Sequence, residues 1–185
     1  MICHAPHNTA GREPQVDPAA QSGATGREGG KIAVVVRVRN AAQDLDRCLA
    51  GVKRQVLAPG TRLEIIVVDN DSTDDSRIVA ARHGAVVVPL AREEFSWGRA
   101  LNRGIARTDA EVVLLLSSDA TPVDDDWLRH MVAPFAESDV AVVYGRQLAY
   151  PDAPMDERVR LERMFGLQPI TLDRQRHADN PAARG

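Results

Sequence analysis

Short runs of apolar, mostly β-branched residues recur along the middle of the chain: Ile32 to Val38, Leu63 to Val68, Ala85 to Leu90 and Val112 to Leu116. Each is bounded by turn residues and is short for a helix, which predicts strands buried on both faces of a sheet. A later run, Val140 to Tyr144, predicts a fifth strand extending to Leu148. Between the runs the period changes. Leu45, Cys48, Leu49, Val52 and Val56 recur at helical spacing, with Asp44 placed to cap the helix and Pro59-Gly60 to stop it. Ser72 or Thr73 opens a second helix that reaches about His83 and ends at Gly84. Further helices are predicted from Gly98 to Arg107, around Trp127, Leu128, Met131, Val132 and Phe135, and from Asp156 to Phe165. Gly98 and Gly104 are poor helix formers and hint at close approach of a ligand or of another element.

This alternation predicts an α/β fold with a mainly parallel, Rossmann-like sheet and helices on both faces. Right-handed crossovers put every parallel strand's exit on one rim. Arg39-Asn40, Asp69 to Asp71 and Ser117 to Asp119 therefore converge, and that rim is where ligands bind in open α/β sheets. Asp119 ends the buried run of the stretch EVVLLLSSDATPVDDD at 111–126. It reads equally as a residue of the chemistry and as an Asx-turn before Pro122. Capping and the helix dipole account for Ser72 to Asp75, but not for Asp69. His83 reads as a last-turn residue meeting the dipole, and Cys48 as a buried structural thiol.

Two carboxylates on one rim repel unless something intervenes. A hard divalent cation resolves the conflict, because Mg²⁺ takes one or two carboxylates together with substrate phosphates and waters. Alternatively, one carboxylate accepts hydrogen bonds from a nucleobase or ribose. The chain has no GxxxxGK[ST] loop and no GxGxxG after its first strand, which disfavours a P-loop NTPase and a nicotinamide dehydrogenase. Phosphate charge would then be met by the metal, by backbone, or by arginines such as Arg39, Arg99 or Arg103. A phosphoacceptor receiver domain needs a lysine at a late strand end, and no lysine follows Lys53.

Composition narrows the picture further. At 185 residues the chain suits one domain with a sizeable core, and its net charge of -3 leaves no basic stripe for nucleic acid. Apolar runs fall far short of the ~20 residues of a membrane span. Residues 1–30 are rich in Gly, Ala, Pro and small polar residues and predict a disordered tail without a signal peptide. Cys3, His4 and His7 lack a second ligand pair at zinc spacing. Few cysteines and no apolar leader make a reducing cytoplasm the expected location. Residues 31–150 read as the core, and 151–185 as a helix followed by an irregular tail.

Taken together, several segments resemble the family-2 glycosyltransferases of the GT-A fold, nearest to rhamnosyltransferase-like members acting on bacterial surface polysaccharide. They are the strand ending in Asn40, the helix with Leu45, Cys48, Leu49 and Gln55, and VVDNDSTDDS at 67–76. FSWGRALNRGIA at 95–106, LLLSSDATPVDDDWL at 114–128 and YGRQL at 144–148 complete the set. The resemblance implies inverting transfer of a sugar from a nucleotide-diphosphate donor to a saccharide or lipid-linked acceptor, with Mg²⁺ or Mn²⁺ as cofactor. A lipid-linked acceptor would place the chain peripherally at the inner face of the membrane. The implied nucleotide-site residues are Arg39, Asn40, Asp69, Asp71, Asn102, Gly104 and Ser118. Asp119 matches the metal-binding end of the family's Asp-x-Asp motif, whose first Asp is here Ser117. The family's catalytic base lies in an acidic element beyond the fifth strand that has no match here. Asp152, Asp156 and Glu157 read as cap or solvated-face residues. The acceptor half thus reads as largely missing, with an exposed sheet edge open to oligomer formation. The alternative is a non-catalytic nucleotide-sugar-binding or interaction module, or an inactive fragment.

Overall fold

The computed structural model describes residues 2–4, 30–137 and 140–165. Strand β2 (Lys31–Val38) is the axis of the domain, and Ala33, Val34, Val35 and Val36 are fully buried on it. It pairs in parallel with β3 (Arg62–Asp69) on one side and β5 (Val112–Ser117) on the other. Strand β4 (Val86–Pro89) extends the sheet beyond β3, giving the all-parallel order β4-β3-β2-β5. The chain thus runs outward from β2 through β3 to β4, then returns to place β5 on β2's other flank. The point where the order reverses lies between the exits of β2 and β5.

Both faces are covered, as near-continuous apolar strands require. Helices α1 (Ala42–Lys53), α2 (Ser76–Arg82) and α4 (Trp127–Val132) pack on one face. There Val34, Val36, Val67, Leu114 and Leu116 meet Leu45, Leu49, Val79, Trp127 and Leu128. On the other face α3 (Trp97–Ile105) lies against Ala33, Val35, Ile66 and Val68 through Ala100. A Cβ on Gly104 would stand 2.3 Å from Val35 Cγ1 and 3.0 Å from Val68 Cγ2, so this glycine lets α3 seat on the sheet. Ser96 caps α3 by accepting from the Arg99 N–H at 3.2 Å.

Four expectations need correction. Val140 to Tyr144 is not a strand: Val143 packs half-buried against the core, but Val142 is 78% and Tyr144 50% exposed, so the run is not buried as a sheet strand would be. Pairing occurs later, at β7 (Arg146–Leu148), in a separate small sheet. That sheet also corrects the disordered tail at residues 2–4, while 5–29 lie outside the described residues. Ile2–His4 forms β1, parallel to β6 (Thr121–Pro122) and antiparallel to β7, a piece too short to show a period in sequence. Cys3 and His4 therefore fall on β1, while His7 lies outside the described residues. Asp44 is not the cap of α1, which begins earlier, with Ala41 at the N-cap position. Nor do Ser72 and Thr73 start α2, whose N-cap is Asp75. Helix α5 (Met155–Phe165) follows the prediction closely, with Asp156 and Glu157 in its first turn.

The missing cap of α1 is supplied from the exit of β3. Asp74 Oδ2 accepts from the Ala42 N–H at 2.9 Å, Ser76 Oγ from Ala41 N–H at 3.3 Å, and Ser72 Oγ from Asn40 N–H at 3.0 Å. In return Asn40 Oδ1 accepts from Thr73 N–H at 2.7 Å. At α1's other end the buried Gln55 donates to Gly51 O and Asp124 O, and its Oε1 accepts from Leu128 N–H at 2.7 Å, near the start of α4. The acidic run 124–126 is absorbed locally, Asp125 by Arg54 and Asp126 by Arg129.

Two expected outcomes follow from this packing. Gly104→Ala should cost about 1–3 kcal/mol through overpacking, whereas Gly98→Ala, with nothing within 4 Å of its Cβ, should gain up to about 1 kcal/mol of helix propensity. Thermal unfolding of the two variants checks this, and equal signs would mean that α3 does not seat as described. Asp74→Ala should cost about 0.5–2 kcal/mol, the usual range for a lost cap. Burial pushes the Asp74 carboxyl up, but hydrogen bonds from Ser76 and the backbone N–H groups of Ala42 and Ser76 outweigh it and hold it below its ordinary value. The cap's contribution is therefore complete above the ordinary aspartate pKa of about 4 and is lost as pH falls through the lowered one. Denaturant titrations of both proteins at descending pH should show their difference shrinking.

Candidate functional site on the strand-exit rim

The parallel register delivers the predicted rim. Val38 pairs with Asp69 and Arg37 with Ser117, so the exits of β3, β2 and β5 lie side by side. Backbone bonds fix the first residues beyond: Asn70 N–H to Val38 O at 2.9 Å and Ser118 N–H to Arg37 O at 3.1 Å. Asn40 and Asp71 both adopt positive φ, 47° and 53°, where the chain turns sharply off the sheet. Short polar residues tolerate that region better than most.

At the β3 exit Asp69 is fully buried. Its Oδ2 accepts from Arg77 Nε at 2.5 Å and from Ser72 N–H at 3.3 Å, while its Oδ1 is buried without a hydrogen-bond partner. The neighbouring Asn70 Oδ1 is buried and unpartnered too. Two orphaned acceptors on adjacent residues are costly, because each has lost water without a replacement. The hydrogen bond to Asp69 holds the Arg77 guanidinium above its ordinary pKa, and Arg77 Nη2 also reaches Asp71 at 3.8 Å. Arg77 was not singled out in the sequence; its signal was an arginine in the first turn of the helix after a buried aspartate.

At the β2–β5 junction the charged residue inside an otherwise apolar strand proves significant. Arg37 alternates with Ala33 and Val35 on the α3 face of β2. Its Nη2 donates to Ser117 Oγ at 3.1 Å, and its guanidinium stacks on the Trp97 ring at 3.3 Å from the centroid. Burial pushes its pKa down, and Asp119 opposes that shift electrostatically. Trp97 is itself 59% exposed and meets Phe95 edge to face. The sequence contained both signals, an arginine in VVVRV and an aromatic loop before α3.

The remaining predicted residues divide. Asp119, at the rim beyond β5, is exposed, and Ser118 is buried beside it. Arg39 is exposed at the β2 exit. Asn102 is exposed on α3, and among the described residues no side-chain hydrogen bond joins it to the rim. Gly104 faces Val35 and Val68, so helix–sheet contact accounts for it rather than a ligand. Arg103 pairs with Glu94 at 3.4 Å. Among the described residues no three His, Cys, Asp or Glu side chains gather into a metal cage, and no helix is long and apolar enough to cross a membrane.

Known proteins resemble this arrangement. Residues 33–182 match the Glycosyl transferase family 2 profile. The O-antigen chain rhamnosyltransferase RfbN of Salmonella typhimurium is 30% identical over 125 residues, 66% of this chain and 39% of its own. The O-antigen chain rhamnosyltransferase WbaN of Salmonella anatum is 31% identical over 91 residues, 49% of this chain and 29% of its own. The chain thus spans well under half the length of these relatives. Among solved structures, the mannosyltransferase PcManGT from Pyrobaculum calidifontis, in complex with GDP-Man and Mn²⁺, superposes with a TM-score of 0.54 at 23% identity. That match covers 62% of this chain and 34% of the other, and shows the GT-A fold. With the matched segment embracing the sheet, its helices and the whole rim, the chain belongs to glycosyl transferase family 2.

Proposed function

We propose that this domain binds the nucleoside-diphosphate sugar of a glycosyl transfer, with its base end at the β3 exit and its diphosphate end at the β2–β5 junction. The observation that carries the reading is the pair of orphaned buried acceptors, Asp69 Oδ1 and Asn70 Oδ1. Base or ribose N–H and O–H donors would complete them, and a buried polar atom strongly favours a ligand that does so. Arg77 orients the Asp69 carboxylate, while Asp71 and Asn40 shape the turns beside it.

The donor set also fits a divalent cation of one kind. With no protein cage among the described residues, Mg²⁺ or Mn²⁺ would be held by the Asp119 carboxylate, by diphosphate oxygens and by waters, the pattern hard cations adopt with nucleotides. When bound, the cation supplies Lewis-acid stabilisation of the departing diphosphate. The chain's own residues do the rest of the donor's work. Ser118 N–H and Arg37 O lock the β5 exit to β2, which fixes Asp119 relative to Asp69. Arg39 brings positive charge to the same edge. The relatives act in O-antigen chains, which supports an acceptor in surface polysaccharide, presented as a saccharide or on a lipid carrier at the membrane's cytoplasmic face. The acceptor's general base has no assigned residue. Asp156 and Glu157 serve the first turn of α5.

A second reading, a donor-binding module that works only with another chain, has one observation in its favour. Among the described residues strand β5 is one edge of the main sheet, opposite β4, and carries Leu115 at 45% exposure. Such an edge invites pairing, and concentration-dependent association in sedimentation would support this reading.

Calorimetric titration with UDP, GDP and dTDP, each with and without Mn²⁺, tests the donor site. At least one should bind, Mn²⁺ should tighten it, and Asp119→Ala should remove the Mn²⁺-dependent part. Folded protein that binds none of the three would sink the donor-site reading.

A further inference from the structure

Arg37 is an anomaly that the donor-site reading alone does not resolve. Arg54, Arg77, Arg82 and Arg129 each meet a carboxylate at ion-pair distance. Arg37 meets a neutral hydroxyl instead, Ser117 Oγ at 3.1 Å. A structural tie between β2 and β5 does not require it, since backbone pairing already joins them from Ile32 to Arg37. A half-buried guanidinium has lost part of its water, and one bond to a hydroxyl returns little of that loss. Among the described residues its one side-chain hydrogen bond is to Ser117, and a guanidinium carries five N–H donors.

What holds the group is geometry suited to an incoming anion. Trp97 covers one face of the guanidinium at 3.3 Å, leaving the N–H edges in the plane of the fork. That fork matches the paired oxygens of a phosphate. Its place is the reversal point of the strand order, where ligands bind in open α/β sheets. Ser117 matters for what it is not. A carboxylate at this register position would stand against Arg37 and neutralise it internally, whereas a hydroxyl orients the fork and leaves its charge uncancelled at that contact. Asp119 acts on Arg37 electrostatically from the same strand exit, and Arg39 adds a second cation nearby.

We propose that Arg37, stacked on Trp97 and oriented by Ser117, is the cation that receives the donor's diphosphate. This rests on the donor-site reading above and deepens it. Part of the diphosphate's charge is met by protein, so donor binding keeps a component that needs no metal. Trp97 is the positioning residue of the pair.

The test is calorimetry on the full chain with UDP, GDP and dTDP, in EDTA and in Mn²⁺, for the parent, Arg37→Gln and Ser117→Asp, with circular dichroism to establish folding. The parent should bind one of the diphosphates in EDTA. Both substitutions should weaken that metal-free binding by about tenfold or more, the scale of a charge-assisted hydrogen bond. Mn²⁺ should tighten binding in all three proteins through Asp119, and should bring Ser117→Asp, which gains a carboxylate, back to the parent's level while Arg37→Gln stays weaker. In the parent, emission from the exposed Trp97 should change on adding diphosphate in EDTA, against a constant background from the buried Trp127. Parent binding seen only with Mn²⁺ overturns the proposal and spares the donor site. So does metal-free binding that survives Arg37→Gln, or a Trp97 signal that stays still while calorimetry registers binding. Absence of binding in every condition overturns both.

Discussion

Everything at the rim depends on the double parallel pairing of β2. A strand hydrogen-bonded on both sides and apolar on both faces cannot slip by one residue without turning Val34 and Val36 from one helix layer to the other. Its register with β3 and β5 is therefore fixed by the core, far from any ligand. Asp69, Arg37 and Ser117 inherit their mutual positions from that register. The site is accurate because valines elsewhere on the same strands permit no other alignment.

The second layer of control is polar and local. Four residues after β3 could have served their own helix, as acidic and hydroxyl residues at a helix start usually do. Instead Ser72, Asp74 and Ser76 satisfy backbone N–H groups of residues 40–42. The two exits flanking the proposed base site are thus bound to each other, with Asp74 also accepting from the Ser76 N–H at the start of its own helix. This contrast explains why Asp69 can be buried and yet retain an unpartnered oxygen. The surrounding donors are already committed, and Arg77 takes only one side of the carboxylate.

The α/β class, the four parallel strands and the convergence of their exits were legible because they follow from apolar runs alternating with helical periods. The motifs then identified the family. What was not legible depended on partners distant in sequence. The Ser72 to Asp75 run looks like a cap for α2 until β3 is laid beside β2, which brings the bare start of α1 within reach. Gly104 suggests either a ligand or a close helix until Val35 and Val68 are placed beneath it. Arg37 reads as an interruption of a strand, and acquires meaning only when Ser117 and Trp97 arrive from 80 and 60 residues away. β7 was misplaced because Val140 to Tyr144 has strand composition but no neighbour to pair with.

The borrowed cap of α1 also bears on how the chain is made. A twelve-residue helix is marginal in water by itself, and here its opening N–H groups find their acceptors some thirty residues downstream. Synthesis delivers β2 and α1 before β3, at a time when Asp74 and Ser76 have not yet left the ribosome. The first strand–helix unit is then a provisional structure, and it settles only when the second unit docks and finishes it. The first two exits of the rim consequently come into being together, in one event late in the emergence of this half of the domain.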